Sequence, residues 1–569
     1  MKKIVSAAGL AALGAVGLHA AAGDGLSRIE ASKPWSIKAN LRGFYDDNVF
    51  TTPDSFKAYY TGVGPDGKSV KVAAADIGGY TGLKDSDGNA YRNMGPVSSY
   101  GFEVRPSATL NLVTDQTVLS AGYEYGLRWY NDRPGRSSDQ SHIANLSINH
   151  SIDANTSISL GDKFTLAQEP DVVDSATPLR SVDQQDLFNS DAGFRNNLDN
   201  INNNLFFSLD RRLNETLSAG LGYQFDIYRY ADDSAGGFAA RLDRNHHRLD
   251  LNLSKQISDS TSVLLGYQFR NVGFTSSQML GQRYWGEFIA NPGDNRGDVY
   301  ETTDQEFFHA VNPDTNEPII KIGDVYSVRS WEAILNDQGE TQPGGDIYED
   351  GTLGRDDLDG NADIASQEVI RTYRKSYYRF NPDSRDTDTH YLFAGVSHLF
   401  TPELQASARV GAQFVRYTGV EDANPFNPDD STVSPYVDAN LSYAYAEGST
   451  VSGGIRHERN QTDLALLGAV GSGGQAMDQE ATTIYASINH RLTSRIALNA
   501  MGMYTMSRFD DHVSWLGNDD YLALGLNASY YINQHLSADL GYNFDDLDSA
   551  VGQRSFTRNR VYVGLKASY

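Results

Sequence analysis

Taken with a period of two, a set of cationic side chains falls on one face of successive alternating segments. They are Lys38, Arg42, Arg105, Arg128, Lys163, Arg212, Arg248, Arg270, Arg409, Arg456, Arg558, Arg560 and Lys566. Acids in the same phase are fewer: Glu103, Glu124, Asp210, Asp226, Asp250, Asp438, Glu458 and Asp539. A guanidinium grips carboxylates and phosphates through parallel N–H donors, so a wall of them would steer anions and polar solutes. The alternative is mutual ion pairing that only satisfies a filled interior. The candidate wall residues are Arg105, Arg128, Arg248, Arg270, Arg409 and Arg456.

Other side chains offer weaker chemistry. Tyr130, Tyr228, Tyr230, Tyr436, Tyr485, Tyr521 and Tyr562 share the inward phase and could stack sugars, although tyrosine is common in strands anyway. His150, His398 and His490 recur at one place in a repeat, which marks interfacial residues pointing outward rather than metal ligands. Asp346, Asp350, Gly351 and Asp357 fall at positions 1, 5, 6 and 12 of a calcium-loop spacing. Tyr348 stands where the third ligand belongs and Asp357 where a glutamate belongs, so a solvated acidic loop is the simpler reading. No nucleophile, base and orienting residue are grouped. No enzymatic activity, cofactor or metal centre is expected.

The elements that must position these residues follow from a repeated phrase. LGYQF occurs at Leu221–Phe225 and again at Leu265–Phe269, with AGYEY at Ala121–Tyr125 and LGYNF at Leu540–Phe544. The interval of 44 residues between the identical copies suits a propeller blade. Strand length rejects that architecture, because LSAGLGYQFDIYRY alternates for about 11 residues where blade strands are short. Each long strand follows a tight polar turn and another alternating strand, as in HHRLDLNLSKQISDSTSVLLGYQFR. Strands of this length, tight turns at one end and long loops at the other predict an all-β chain, a transmembrane antiparallel up-and-down β-barrel of about 18 strands (roughly 16 to 20). The tyrosine and phenylalanine of the phrase then face outward as an aromatic girdle, and its glycine faces inward beside bulky neighbours.

Composition agrees. The 569 residues include 33 Tyr, 24 Phe and 53 Gly, a β composition, and carry no cysteine, which excludes disulfides and thiolate sites. A formal net charge of −26 argues against nucleic acid as a partner. Residues 1–22 have two lysines, an apolar run and small residues around Ala20 and Ala22, the pattern of a signal peptide for export. Residues 23–569 then form one barrel, interrupted by a long loop over about 272–387 that holds 22 acidic and 10 basic residues.

Two stretches carry a family resemblance. GFYDDNVF, Gly43–Phe50, ends the first strand with an acidic turn, and NRVYVGLKASY ends the chain with Val561, Val563, Leu565, Ala567 and a terminal Tyr569 on one face. In these the chain resembles the outer-membrane porin superfamily, most nearly the putative beta-barrel porin type 2 group. The resemblance implies an outer-membrane location, contact with lipid and lipopolysaccharide, and recognition of the C-terminal strand by the outer-membrane assembly machinery. The leading functional expectation for such a barrel is a channel for passive diffusion of small hydrophilic solutes, with the long loop as constrictor or lid. Two other functions fit the same features: a surface anchor whose acidic loops bind a partner or cations, and a conduit for polysaccharide export.

Overall fold

Alternation and turn chemistry lay the chain down as a meander. The computed structural model describes residues 33–53, 56–59, 61–63, 69–71, 73, 77, 83–84, 89–134, 136–167, 199–231, 238–278, 281–290, 299–300, 325–331, 346–347, 353–354, 368–380, 382–419, 430–462, 478–509, 518–550 and 555–569. Eighteen long strands form one sheet. They are β1 Trp35–Asp46, β2 Ser99–Val113, β3 Thr117–Tyr130, β4 Ser138–Asp153, β5 Thr156–Ala167, β6 Asn200–Arg212, β7 Leu217–Tyr230, β8 Arg244–Ser258 and β9 Thr261–Phe274. The second half comprises β10 Thr387–Thr401, β11 Leu404–Tyr417, β12 Ser431–Ala446, β13 Ser449–Asn460, β14 Gln479–Arg491, β15 Ile496–Phe509, β16 Asn518–Tyr531, β17 Leu536–Ser549 and β18 Phe556–Ser568. Each pairs antiparallel with its successor, and β18 returns to β1 over Lys38↔Ser568 to Asp46↔Arg560. The expected barrel and its strands are present. The leader over residues 1–22 lies outside the described residues, as do Tyr348, Asp350, Gly351 and Asp357 of the calcium-loop spacing.

The tight turns are held by side chains named in the sequence. Asn214 Oδ1 accepts from Thr216 N and Leu217 N at 3.0 and 2.9 Å, Asn533 Oδ1 from His535 N and Leu536 N at 2.8 and 3.0 Å, and Thr493 Oγ1 from Arg495 N and Ile496 N at 3.1 and 3.0 Å. Such turns mimic a backbone turn with a short polar side chain. Between β12 and β13 the turn uses Gly448 instead, at φ +71°, a conformation costly for any residue with a Cβ.

The two faces of the sheet separate cleanly. Leu41, Leu110, Leu265, Leu392, Val410, Leu526, Leu540 and Val563 are exposed on the outside, whereas Arg42, Glu103, Arg128, Asp250, Asn527 and Arg558 are buried on the inside. An apolar belt around a closed wall with polar groups within is the arrangement a bilayer selects. The glycines of the repeated phrase face inward as expected, and rings from the next strand lie over them: Phe393 over Gly266 and Tyr562 over Gly541.

Closure is secured at both ends. At the tight-turn end Tyr569 N donates to Ile37 O at 2.9 Å, and its ring lies 5.3 Å from Trp35 and 5.8 Å from His535. At the other end the acidic turn of β1 grips β18. Asp47 accepts from Asn559 N at 2.7 Å and Asn559 Nδ2 at 2.8 Å, while Asn48 Nδ2 donates to Thr557 O at 3.1 Å.

The long loop carries a sheet of its own. Gly281–Ala290 pairs with Glu368–Phe380, whose other edge pairs with Val325–Trp331. The reason is visible in RTYRKSYYR, which alternates as a strand does.

Candidate functional site

The inner wall where the barrel closes gathers its strongest charges. Glu103 on β2 is nearly inaccessible and stands among four guanidiniums from four strands. Arg105 Nε is 3.1 Å from Oε1 and Arg42 Nη1 on β1 is 3.7 Å from it; Arg128 Nε on β3 is 3.1 Å from Oε2 and Arg560 Nη2 on β18 is 3.2 Å from it. Glu124 is 3.6 Å from Arg105 Nη1, so two carboxylates meet four cations. Arg105 is the most exposed of the four. Aromatic rings support the cluster from behind: Arg42 stacks over Tyr562 at 4.6 Å, Arg560 over Phe44 at 4.6 Å. Strand alternation puts all of these on one face, and the β18–β1–β2–β3 register brings them together.

The remaining candidate arginines stand apart from this cluster. Arg248 Nε lies 3.0 Å from Asp250, two residues along the same strand, and Arg456 holds Glu458 through Nε at 3.0 Å and Nη2 at 3.1 Å. Arg409 lies over Phe393 at 5.9 Å. Arg270 lies over Tyr391 at 5.3 Å and donates to Arg459 O at 2.9 Å. Pairing and excess charge therefore coexist: Arg105, Arg128, Arg248 and Arg456 have carboxylate partners, whereas Arg270 and Arg409 rest on rings.

Three of the inward tyrosines pack against neighbours in the wall. Tyr130 packs edge-on to Phe44 at 5.3 Å and under Arg133 at 4.6 Å, Tyr228 lies under Arg244 at 4.3 Å, and Tyr436 meets Tyr391 edge-on at 5.7 Å. These three build the wall rather than offer a free ring face. His150 and His398 bond Thr117 and Thr261 of the strand before, and His490 bonds Tyr445, each through Nδ1 at 2.7 to 2.9 Å. Among the described residues no group of His, Cys, Asp or Glu could hold a metal ion.

A feature that sequence reasoning missed completes the girdle. The tyrosine of each repeated phrase bonds one residue on the following strand, two places toward the long-loop end: Tyr123 to His142 at 2.7 Å, Tyr223 to His247 at 2.8 Å, Tyr267 to His390 at 2.8 Å and Tyr542 to Asn559 at 2.6 Å. The signal was present in HIANL, HRLDL, HYLFA and NRVYV, which open the partner strands in the same phase.

At the mouth, a turn of 3-10 helix at Pro382–Arg385 leads into β10. Arg385 is fully buried, lies over Phe274 at 4.5 Å, donates to Arg241 O at 2.9 Å and also bonds Thr462 O. Beside it Asp386 accepts from Phe274 N at 2.7 Å. Loss of hydration, together with the nearby charges of Asp383 and Asp388, pushes its carboxyl up to about 6.

Residues 338–569 match the model of the family described as Putative beta-barrel porin 2, so the likeness read in the sequence holds for the C-terminal part of the chain. No curated protein matches. Solved structures that resemble the chain at low scores include receptors and a transporter. A mutant of the ferric enterobactin receptor PfeA from Pseudomonas aeruginosa is 11% identical, with 94% of this chain and 80% of that one covered at a TM-score of 0.38. The ferric-catecholate import receptor Fiu from E. coli K12 is 11% identical, with 86% and 85% covered at 0.36, and the copper transporter OprC is 8% identical, with 91% and 64% covered at 0.34.

Proposed function

We propose that this chain, an outer-membrane barrel of the porin type, is a channel for passive diffusion of small hydrophilic solutes with a preference for anions. The observation that supports this reading is the Glu103 cluster, where four guanidiniums outnumber the acids beside them on the inner wall. A low-dielectric wall lined with one sign of charge concentrates the opposite ion. Planar-bilayer recording in a salt gradient tests it. The wild type is expected to conduct with a reversal potential on the anion side, and Arg105→Gln with Arg128→Gln should move that potential toward zero. A barrel that inserts but carries no current would end the channel reading.

A second reading is supported by the sheet of Gly281–Ala290, Val325–Trp331 and Glu368–Phe380. Such a surface suits an anchor whose outer part binds a partner. It requires insertion without conductance, so the same recording separates the two.

A further inference from the structure

We propose that the top of β13, with the start of β14 beside it, is a flap folded into the mouth of the barrel, parted from β12 above the Val437↔His457 pair and released from that strand at Pro435. The inference rests on the channel reading for its consequence, though not for its geometry. The β12–β13 ladder runs from Ala446↔Ser449 only to Val437↔His457, although β12 continues to Ser431 and β13 to Asn460. On either side the pairing is complete, β11–β12 to Arg416↔Ser431 and β13–β14 to Asn460↔Gln479. The wall thus parts at one seam: β13 leaves β12 and takes β14 inward with it, while β14 stays laddered to β15 as far as Gln479↔Phe509.

Contacts show where they go. Lower in these strands Ile455 and Ile484 are exposed on the outer face, and His457 and Glu480 share their phase. Yet Glu480 Oε1 accepts from Ser434 Oγ at 2.9 Å, and Ser434 belongs to the buried inner face of β12. Arg459 N donates to Gln413 Oε1 at 2.7 Å, Gln413 Nε2 donates to Arg459 O at 3.2 Å, and Tyr417 OH donates to Asp478 Oδ2 at 2.9 Å. Gln413 and Tyr417 are buried inner residues of β11, two strands from β13. The outer face of the hairpin therefore lies on the inner face of its neighbours. Its far side is latched across the mouth, where Arg270 of β9 donates to Arg459 O and Arg385 to Thr462 O.

The cause is a missing donor. Tyr417 N donates to Asp430 O, so by the alternation of an antiparallel ladder the even residues at the top of β12 bond β11 and Pro435 turns its backbone to β13. Continuing the register would set Pro435 opposite Arg459, and proline offers no N–H there. The Arg459 backbone, which buried polar groups cannot leave unpaired, is satisfied by Gln413 instead. A proline alone does not split the wall: beside Pro106 the β2–β3 ladder skips from Val104↔Leu127 to Ser107↔Glu124 and resumes. At Pro435 the hold of Gln413 and Arg270 on the Arg459 carbonyl keeps the strands apart.

The chain has no cysteine, so a single introduced pair reports the flap. Ser434→Cys with Glu480→Cys is expected to link through a short bis-methanethiosulfonate in intact outer membranes. Pro435→Val with Gln413→Leu should let β13 rejoin β12, lower the linking several-fold and raise single-channel conductance about twofold or more. Linking the pair in the otherwise native chain should leave conductance at its native level. Absence of linking in the native background overturns the proposal, as does unchanged linking in the Pro435→Val, Gln413→Leu background. A change in linking with no current in any form would uphold the flap and end the channel reading. Pro435→Val alone serves where the double variant fails to show heat-modifiable migration.

Discussion

Glu103 concentrates the electrostatics of the wall in one side chain. Glu103→Gln would leave Arg42, Arg105, Arg128 and Arg560 facing one another without their shared counter-charge. Removing one partner of a buried ion pair costs about 3 to 5 kcal/mol, which denaturant unfolding in micelles should show as a lower midpoint. In bilayers the same variant should move the reversal potential further toward anions; a shift toward cations would refute the assigned role. How far such residues were legible is clear from the repeated phrase. Period two in LGYQF gives the face of Tyr223 and Tyr267, so the girdle could be read directly. Register could not be read, and with it went the pairing to His247 and His390. For the same reason Arg105 and Arg128 were visible as inward cations, while their common bond to Glu103 was not.

At the scale of elements, the turn at Pro382–Arg385 joins the long loop to β10. The Asp386 carboxyl titrates near 6 in the fold, above its ordinary value, so the folded corner binds its proton more tightly than the opened one. Its contribution is therefore complete below about pH 4 and is lost as pH rises through about 6. Limited proteolysis near residues 382–386 should be slower at pH 5 than at pH 7.5, and Asp386→Asn should abolish the difference; an equal rate for the native chain would refute it. The loop sheet sets a second test. Because Trp285 pairs with Ser376, excising residues 286–375 behind a short Gly-Ser linker leaves matched stubs. Conductance should rise and selectivity move toward anions, since 22 acidic residues stand in the loop against 10 basic ones. Unchanged values would place the loop clear of the current path. The strands of the barrel were legible because lipid demands a strict period of two over a fixed length. The departure of β13 from β12 was not, since Pro435 removes one donor without disturbing the alternation around it.

For the whole molecule, closure rests on the first strand meeting the last. Asn559 joins three strands, accepting from Tyr542 of β17 while binding Asp47 beyond β1. Asn559→Ala removes those side-chain bonds, worth about 1 to 3 kcal/mol where the partners stay buried. It should lower the temperature at which the folded band gives way to the unfolded one on semi-native gels. Deleting Tyr569, which loses the ring contact to Trp35, should reduce the amount of barrel in the outer membrane, as measured by fractionation. Native levels after that deletion would show that the terminal ring is dispensable. GFYDDNVF and the final strand stood out as the two ends of a family pattern, and their function as two halves of one clamp emerged only in three dimensions.

That clamp has a kinetic side. Most other seams of the meander join strands close in sequence, so hairpins can form early and locally, whereas the β1–β18 seam joins residues more than 500 positions apart. The entropy of closing a loop grows only logarithmically, about 0.6 kcal/mol for each doubling, so the last step is slow more for the search than for its free energy. Until Asp47 meets Asn559, both outer edges of the sheet are open templates for other chains. A nascent or truncated polypeptide that lacks its last strand never escapes that state, however well its earlier hairpins have formed.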